Sequence, residues 1–266
     1  MALQPESRWT QPQGTPQQGW GRTAGVDAAT IDAGLRTYML RVYNWMASGL
    51  LLTGIVAYLI AHNPTVAEIF YTVVRTPRGY ATAPTILGYV AIFAPLAFVL
   101  ALSFGINRMS KSTVQALFWA FCAVMGASMA SIFVVYTATS VASTFFACSA
   151  MFGAMSLIGY TTKRDLTKMG SFMMMGLIGI IIASLLNMFL ASPAIAFLVS
   201  ILGVVIFCGL TAFDTQRIKN DYVEFSYAAG TEEAGKRSVM DALGLYLNFI
   251  NLFQFLLQFM GVRNND

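Results

Sequence analysis

A single carboxylate, Asp214, lies near the end of a long apolar stretch of this chain. It falls within "GLTAFDTQRIK", residues 209–219, and Arg217 follows it by three positions. A carboxylate inside a membrane span is energetically costly, which makes it a candidate for ion or proton chemistry. The alternative is a helix-end residue that reaches interfacial water. Continuation of the helix through "TQRIK" would place Asp214 more than a turn from its end and favour the first interpretation.

A row of polar side chains runs along the last apolar stretch. Its members recur at spacings of 7, 3 and 7 residues, with Gln254 beside them: Asp241, Asn248, Asn251 and Gln258. These spacings place them on one face of a helix. Amides that face lipid would leave donors unsatisfied, so this stripe is expected to face the bundle interior or a water-filled path. Hydrogen bonding that only joins helices explains the same pattern.

Composition indicates the elements that must position these residues. Of 266 residues, 57% are hydrophobic and 11% are charged, whereas a soluble domain carries about 25% charged residues. The chain is therefore predicted to be an integral membrane protein. Its net charge of +4 comes from short loops between apolar stretches, which is typical of membrane proteins and gives no reason to expect a nucleic-acid partner.

Seven apolar stretches are long enough to cross a bilayer as helices, because about 20 residues span about 30 Å of hydrocarbon. They lie near 42–61, 86–104, 115–136, 141–160, 171–190, 195–214 and 239–260. The breaks between crowded neighbours are predicted at "TATS", 137–140, and at "ASPA", 191–194, where Pro193 starts a new helix. The predicted fold is all-α, with a transmembrane domain at 35–262, a disordered polar tail at 1–34 and a short tail at 263–266.

The distribution of Lys and Arg predicts the orientation. With the N-terminus in the cytoplasm, 13 of the 16 basic residues fall on the inside and three fall outside, namely Arg75, Arg78 and Arg263. This asymmetry predicts a cytoplasmic N-terminus and, after seven spans, an external C-terminus. Asp214, the end of span two and the start of span seven then share the cytoplasmic side.

Two arginines on that side, Arg108 and Arg217, are candidate counter-charges for Asp214. The alternative is an anchor whose charge only reaches the interface, and this interpretation is preferred for Arg217 and for Lys111. An intramembrane aspartyl protease needs two membrane aspartates, and the motifs of membrane serine proteases, zinc proteases and nucleotide-binding loops are absent from the sequence. The chain is therefore not expected to be an enzyme or to hold a resident cofactor or metal.

Three motifs in this order resemble those of the Bax inhibitor family of seven-helix membrane proteins, in its bacterial branch. They are "TTKRDLTKMGS" at 161–171, "GLTAFDTQRIK" at 209–219 and "ALGLYLNFINLFQFLL" at 242–257. The resemblance covers about residues 35 to 262. It implies six helices around a central seventh, a bacterial inner-membrane location and a pH-sensitive calcium leak gated by two proton-sharing aspartates near the cytoplasmic end.

The resemblance assigns the first gate position to Asp214 and the second, usually aspartate, to Asn248. An arginine implicated in some members matches Arg108. Because two nearby carboxylates titrate jointly whereas an Asp–Asn pair has one titrating proton, this chain is expected to respond more weakly to pH. Since Ca²⁺ prefers several oxygen ligands, including carboxylates, Asp214 is only a weak candidate ligand.

Two functions are compatible with these features. The first is a passive cation leak, with Ca²⁺ as the transported ion, Asp214 as the gate carboxylate and Asn248 as its partner. The alternative is a regulatory interaction protein that modulates a membrane-bound quality-control protease or a stress response, with the polar tail at 1–34 as the surface for its partner. Some bacterial relatives in the family behave in this second way.

Overall fold

The computed structural model describes residues 28–76, 79–226 and 231–264. It is all-α apart from one two-stranded hairpin, and seven of its helices are long and apolar enough to cross a membrane. The predicted class and the number of spans are thus confirmed. The helix bounds are α1 Ala28–His62, α2 Pro64–Phe70, α3 Ile86–Gly105, α4 Lys111–Met129, α5 Ser131–Val135, α6 Ala138–Thr161, α7 Thr167–Leu190, α8 Pro193–Asp221 and α9 Thr231–Met260.

The first helix begins earlier than the sequence suggested. α1 starts at Ala28 and has 35 residues, about 50 Å of helix, so residues 28–34 are not the disordered tail that was predicted. The remainder of that tail, residues 1–27, lies outside the described residues. At the other end of α1, Asn63 precedes Pro64, whose fixed φ suits the first position of a helix, and α2 follows.

A β-hairpin joins the first two spans and was not predicted. Strands β1 (Tyr71–Thr76) and β2 (Gly79–Pro84) pair antiparallel. The Tyr71 hydroxyl donates to the Ala127 carbonyl at 3.3 Å and accepts from the Ser131 amide at 3.1 Å. These bonds attach the hairpin to the junction of α4 and α5, so this connection is packed against the bundle.

Both predicted breaks between crowded spans are present, and each has a local cause. The Thr137 side chain accepts a hydrogen bond from the Ser140 amide at 3.2 Å, which caps α6. α7 ends at Leu190 and is followed by Ala191, whose φ of 48° is left-handed, and the Asn187 side chain accepts from the Ser192 amide. Pro193 then starts α8. The short tail after α9 is attached to the end of α5, because the backbone amide of Asn264 donates to the Val135 carbonyl.

Helix α9 is the most buried of the seven spans and α7 is the least buried. α9 packs against α1, α4, α6 and α8, and its Tyr246 is fully buried against Phe118 and Phe121 of α4. The complete ring of six helices around the seventh stays a prediction. The arrangement nevertheless places the polar side chains of α9 directly against α8, where Asp214 lies.

Candidate functional site at the end of helices α8 and α9

Asp214 and Asn248 are in direct contact between α8 and α9. The Asn248 side-chain amide donates to Asp214 Oδ2 at 2.6 Å. Arg217 Nη1 lies 3.0 Å from Asp214 Oδ1. α8 continues to Asp221, which places Asp214 about two turns before the helix end. The structure therefore brings together the two residues that were matched to the family's paired aspartates.

The carboxylate of Asp214 is mostly enclosed and each of its oxygens has a donor. Its side chain is 14% exposed, whereas that of Arg217 is 47% exposed. Charge-assisted hydrogen bonds of this kind are among the stronger ones in proteins. These two contacts fix the orientation of the carboxylate between α8 and α9.

Arg217 was expected to be an interfacial anchor, and this expectation was wrong. Besides contacting Asp214, its Nη2 atom lies 3.9 Å from the position that a Cβ on Gly244 of α9 would occupy. Gly244 is one turn from both Asp241 and Asn248 on α9. The guanidinium thus crosses from α8 onto α9 between two polar residues. The three-residue spacing after Asp214 could have indicated the pair, since residues i and i+3 are neighbours on a helix.

A cavity of about 880 Å³ adjoins the pair, between α3, α7, α8 and α9. Asp214, Asn248 and Asn251 supply polar groups to its wall, together with Arg217 and Ser103. Further into the bundle the wall is apolar apart from Ser184, whose hydroxyl donates to the Ile180 carbonyl in its own helix, and Phe255 stacks on Phe207 with ring centroids 5.8 Å apart. The polar groups of the cavity are therefore concentrated near Asp214.

The polar stripe of α9 divides among several environments. Asp241 accepts a hydrogen bond from the Tyr38 hydroxyl of α1 at 2.6 Å, a partner that no sequence pattern indicated. Asn251 donates to the Leu247 carbonyl in its own helix and lines the cavity. Gln254 is half-buried, and Gln258 is exposed at the far end of the helix. Gln258 therefore does not face the bundle interior, one of the two environments predicted for the stripe, and its exposure to a water-filled path stays a prediction.

Arg108 does not join this site. It lies in a short 3₁₀ turn after α3, is exposed, and forms no hydrogen bond or ion pair with any described residue. The structure therefore selects Arg217 over Arg108 as the counter-charge of Asp214.

Gln216 connects the first two family motifs. Its side-chain amide donates to the Arg164 carbonyl at 2.8 Å, and its oxygen accepts from the Leu166 amide at 2.8 Å. Nearby, Lys219 Nζ donates to the Tyr160 carbonyl at 2.9 Å. Together with the Asp214–Asn248 bond, these contacts join all three motifs at one end of the bundle, which we call the motif end: the end where α6 and α8 finish and α7 and α9 begin.

Asp165, in the same connection, organises the start of α7. Its carboxylate accepts from the hydroxyl of Thr167 at 2.6 Å and from its backbone amide at 2.9 Å. These hydrogen bonds hold the pKa of Asp165 below its usual value. The charged form therefore supports the loop at neutral pH, and this support is lost as the pH falls through the lowered pKa.

Replacing Gln216 with alanine is expected to loosen the connection between α6 and α7. Gln216 is 8% exposed, so the change removes two hydrogen bonds and leaves backbone groups unpaired, at a cost of about 1–3 kcal/mol. Limited trypsin digestion of the detergent-solubilised protein should then cleave faster at Lys163 and Arg164. Gln254→Ala is the matched control and should be digested at the wild-type rate. Equal digestion rates in all three proteins would show that the hydrogen bonds of Gln216 do not stabilise the connection between α6 and α7.

The chain matches a known protein family over most of its length. Residues 35–265 match the family described as "Inhibitor of apoptosis-promoting Bax1". The chain belongs to the Bax inhibitor family. It is a multi-pass integral membrane protein, as its seven apolar helices indicate.

Several bacterial relatives align over nearly their whole length. An uncharacterized protein of Rickettsia prowazekii (strain Madrid E) is 48% identical over 237 residues, which cover 89% of this chain and 94% of the relative. An uncharacterized protein of Caulobacter vibrioides is 45% identical over 248 residues, covering 92% and 96%. The inner membrane protein YbhL of Escherichia coli (strain K12) is 46% identical over 231 residues, covering 87% and 94%. The family membership inferred from the three motifs is thus confirmed.

Proposed function

We propose that this Bax inhibitor family member is a passive cation leak, with Asp214 as the gate carboxylate and Asn248 as its partner. The observation that carries the proposal is the Asp214 carboxylate, 14% exposed, in contact with Asn248 across two helices beside a cavity of about 880 Å³. A mostly enclosed acid next to a cavity in a membrane span is the arrangement expected on an ion or proton path.

The contacts of Asp214 suggest how such a path stays closed. Both carboxylate oxygens are occupied, one by Arg217 and one by Asn248. A cation that reaches the cavity competes with the guanidinium for this carboxylate, because the positive charge of Arg217 already neutralises that of Asp214. Because Arg217 is 47% exposed, it can swing toward solvent more easily than the amide of Asn248, which is 6% exposed. Displacement of Arg217 is therefore the opening step in this proposal.

We propose Ca²⁺ as the ion. The few oxygen ligands in this cavity fit an ion that passes through better than an ion held in a stable site. Ca²⁺ takes six to eight oxygen ligands in stable sites, whereas this cavity offers the oxygens of Asp214, Asn248 and Asn251. No cluster of three or more His, Cys, Asp or Glu side chains suited to a metal occurs within the described residues. Weak, transient binding is what conduction requires.

We place this activity in the inner membrane, which is supported by the printed name of the E. coli relative. The cytoplasmic position of the motif end is a prediction from the charge asymmetry, and labelling of cysteines introduced at residues 165 and 264 with membrane-impermeant reagents would test it.

Calcium flux into proteoliposomes tests the leak itself. Asp214→Asn keeps the shape of the side chain and removes its charge. One charge at about 4 Å from the ion is worth about 1–4 kcal/mol, so flux is expected to fall about tenfold. Glu68→Gln, an exposed charge on α2 at the other end of α1, is the control and should conduct like wild type. Absent wild-type flux, or unchanged flux in Asp214→Asn, would overturn the proposal.

A further inference from the structure

A second large cavity lies on the opposite side of α9 from the Asp214 pocket. It is a groove of about 1070 Å³ between α1 and α6, which we call the lateral groove. Exposed apolar side chains from both helices form its walls, among them Leu51, Ile55 and Leu157, and Phe249 of α9 forms part of its floor. A smaller chamber of about 390 Å³ shares Phe249 and continues inward to Phe253.

Glycines keep this groove open. A Cβ added at Gly54 of α1 or at Gly153 of α6 would meet no heavy atom within 4 Å, and both glycines line the groove. By contrast, Gly159, further along α6, has the backbone of Ala212 directly against it. α6 therefore lies directly against α8 at the motif end, whereas the space beside Gly153, on the side of α1, is open.

The groove has a polar end with an available cation. Arg36 of α1 lines it, is exposed and has no hydrogen bond or ion pair with any described residue. Next to this end, the Tyr43 hydroxyl bonds to Ser156 Oγ, which in turn contacts Thr215 Oγ1 at 3.1 Å. Beyond Ser156 the lining is apolar apart from the Tyr58 hydroxyl and Ser149, whose own hydroxyl donates to the Phe145 carbonyl in the same helix. One end of the groove therefore suits an anionic head and the rest suits hydrocarbon.

The dimensions of the groove fit a lipid. Its lining on α1 runs from Arg36 to Leu59, which is about 35 Å of helix. That is close to the thickness of the hydrocarbon core, about 30 Å, plus an interfacial margin. The Arg36 guanidinium therefore lies at the depth of a lipid headgroup when the apolar walls of the groove lie at the depth of the acyl chains. Arginine is well suited to a phosphate because its guanidinium can donate two parallel hydrogen bonds.

We propose that the lateral groove is a binding site for one anionic phospholipid of the surrounding bilayer. Its phosphate pairs with Arg36, and an acyl chain runs along Gly54 and Gly153 to the ring of Phe249. Phe249 follows Asn248 directly in the chain, so the bound lipid touches the helix that carries the partner of Asp214. The site does not depend on ion conduction.

Native mass spectrometry of the full chain tests this site, with phosphatidylglycerol or phosphatidylcholine added to the detergent micelles. Wild type should retain one phosphatidylglycerol and prefer it over phosphatidylcholine. Gly153→Leu places an apolar side chain in the path of the acyl chain, from a Cβ position that meets no heavy atom within 4 Å, so retention of both lipids should fall about tenfold. Arg36→Gln should retain lipid but lose most of the preference, about tenfold, because the charge-assisted contact with the phosphate is absent.

Gly179→Leu on α7 is the matched control, since its Cβ also meets open space and Gly179 lies outside the groove. It should bind lipid like wild type, which separates groove filling from a general effect of a larger apolar side chain. The proposal is overturned if Gly153→Leu retains as much phosphatidylglycerol as wild type, or if Arg36→Gln keeps the full preference. Because the readout is bound lipid, its failure is distinct from a failure of ion flux.

Discussion

Gly159→Ala is expected to destabilise the folded chain by about 1–3 kcal/mol, since a methyl group has no room where α6 meets α8. A Cβ at this position would overlap the carbonyl oxygen of Ala212 and lie 2.9 Å from its Cα atom. Backbone atoms cannot rotate away as a side chain can, so α8 must shift. Ala212 is two residues before Asp214, and the shift would also displace the Asp214–Asn248 contact.

Unfolding by SDS in mixed micelles, followed by tryptophan fluorescence, measures this effect. Gly153→Ala is a matched control in the same helix, because its Cβ meets open space. It should be neutral or stabilising by up to about 1 kcal/mol, the usual gain of alanine over glycine in a helix. If the two variants unfold at the same SDS concentration, the close approach of α6 and α8 is not a feature of the protein in solution.

Asn248→Asp is expected to make cation flux markedly more dependent on pH than in wild type. In wild type, the ion pair of Asp214 is with Arg217 in its own helix, and a neutral carboxyl can still accept from Asn248. Protonation therefore leaves the contact between α8 and α9 in place. Two carboxylates at this distance would repel when both are charged and would share a proton when one is neutral.

Calcium flux measured from acidic to alkaline buffer checks this expectation. The change in flux across that range should grow about tenfold in Asn248→Asp, because the interhelical contact then depends on a shared proton. Asn251→Asp is the matched control: it adds a carboxylate to the same cavity one turn along α9, and its native amide bonds within its own helix. Equal pH profiles for the two variants, or an unchanged profile in Asn248→Asp, would show that pairing with Asp214 is irrelevant.

Several features of the fold follow from local sequence. Apolar stretches of about 20 residues predict the spans, and Thr137 and Pro193 lie where capping and the fixed φ of proline start new helices. The first helix was placed too late because Asp32, Arg36 and Arg41 interrupt its first turns, so that no continuous apolar stretch begins before residue 42. The hairpin between β1 and β2 was missed for a related reason, since its attachment through Tyr71 depends on α4 and α5, which are distant in sequence.

At the candidate site, too, some residues could be identified from the sequence and others only from the structure. The family resemblance matched Asn248 to Asp214 as its partner. Sequence by itself had singled out Asp214, because a carboxylate in an apolar span is chemically unusual, and had placed Asn248 in a polar stripe. It did not identify Tyr38 as the partner of Asp241 or Gln216 as the brace of the α6–α7 connection, and it assigned Arg217 to the interface. These assignments depend on which helices are neighbours.

Sequence thus determined that this is a seven-span Bax inhibitor family protein and which polar residues its helices carry. Only the tertiary structure decided which of those residues meet, that Arg217 rather than Arg108 is the counter-charge, and that α1 and α6 leave a groove between them. The physical reason is that span formation depends on hydrophobicity and backbone hydrogen bonds within each segment. Which side chains pair, and where cavities remain, depends on which helices are neighbours and on how each helix is rotated about its axis. Neither can be read from the sequence of a single span.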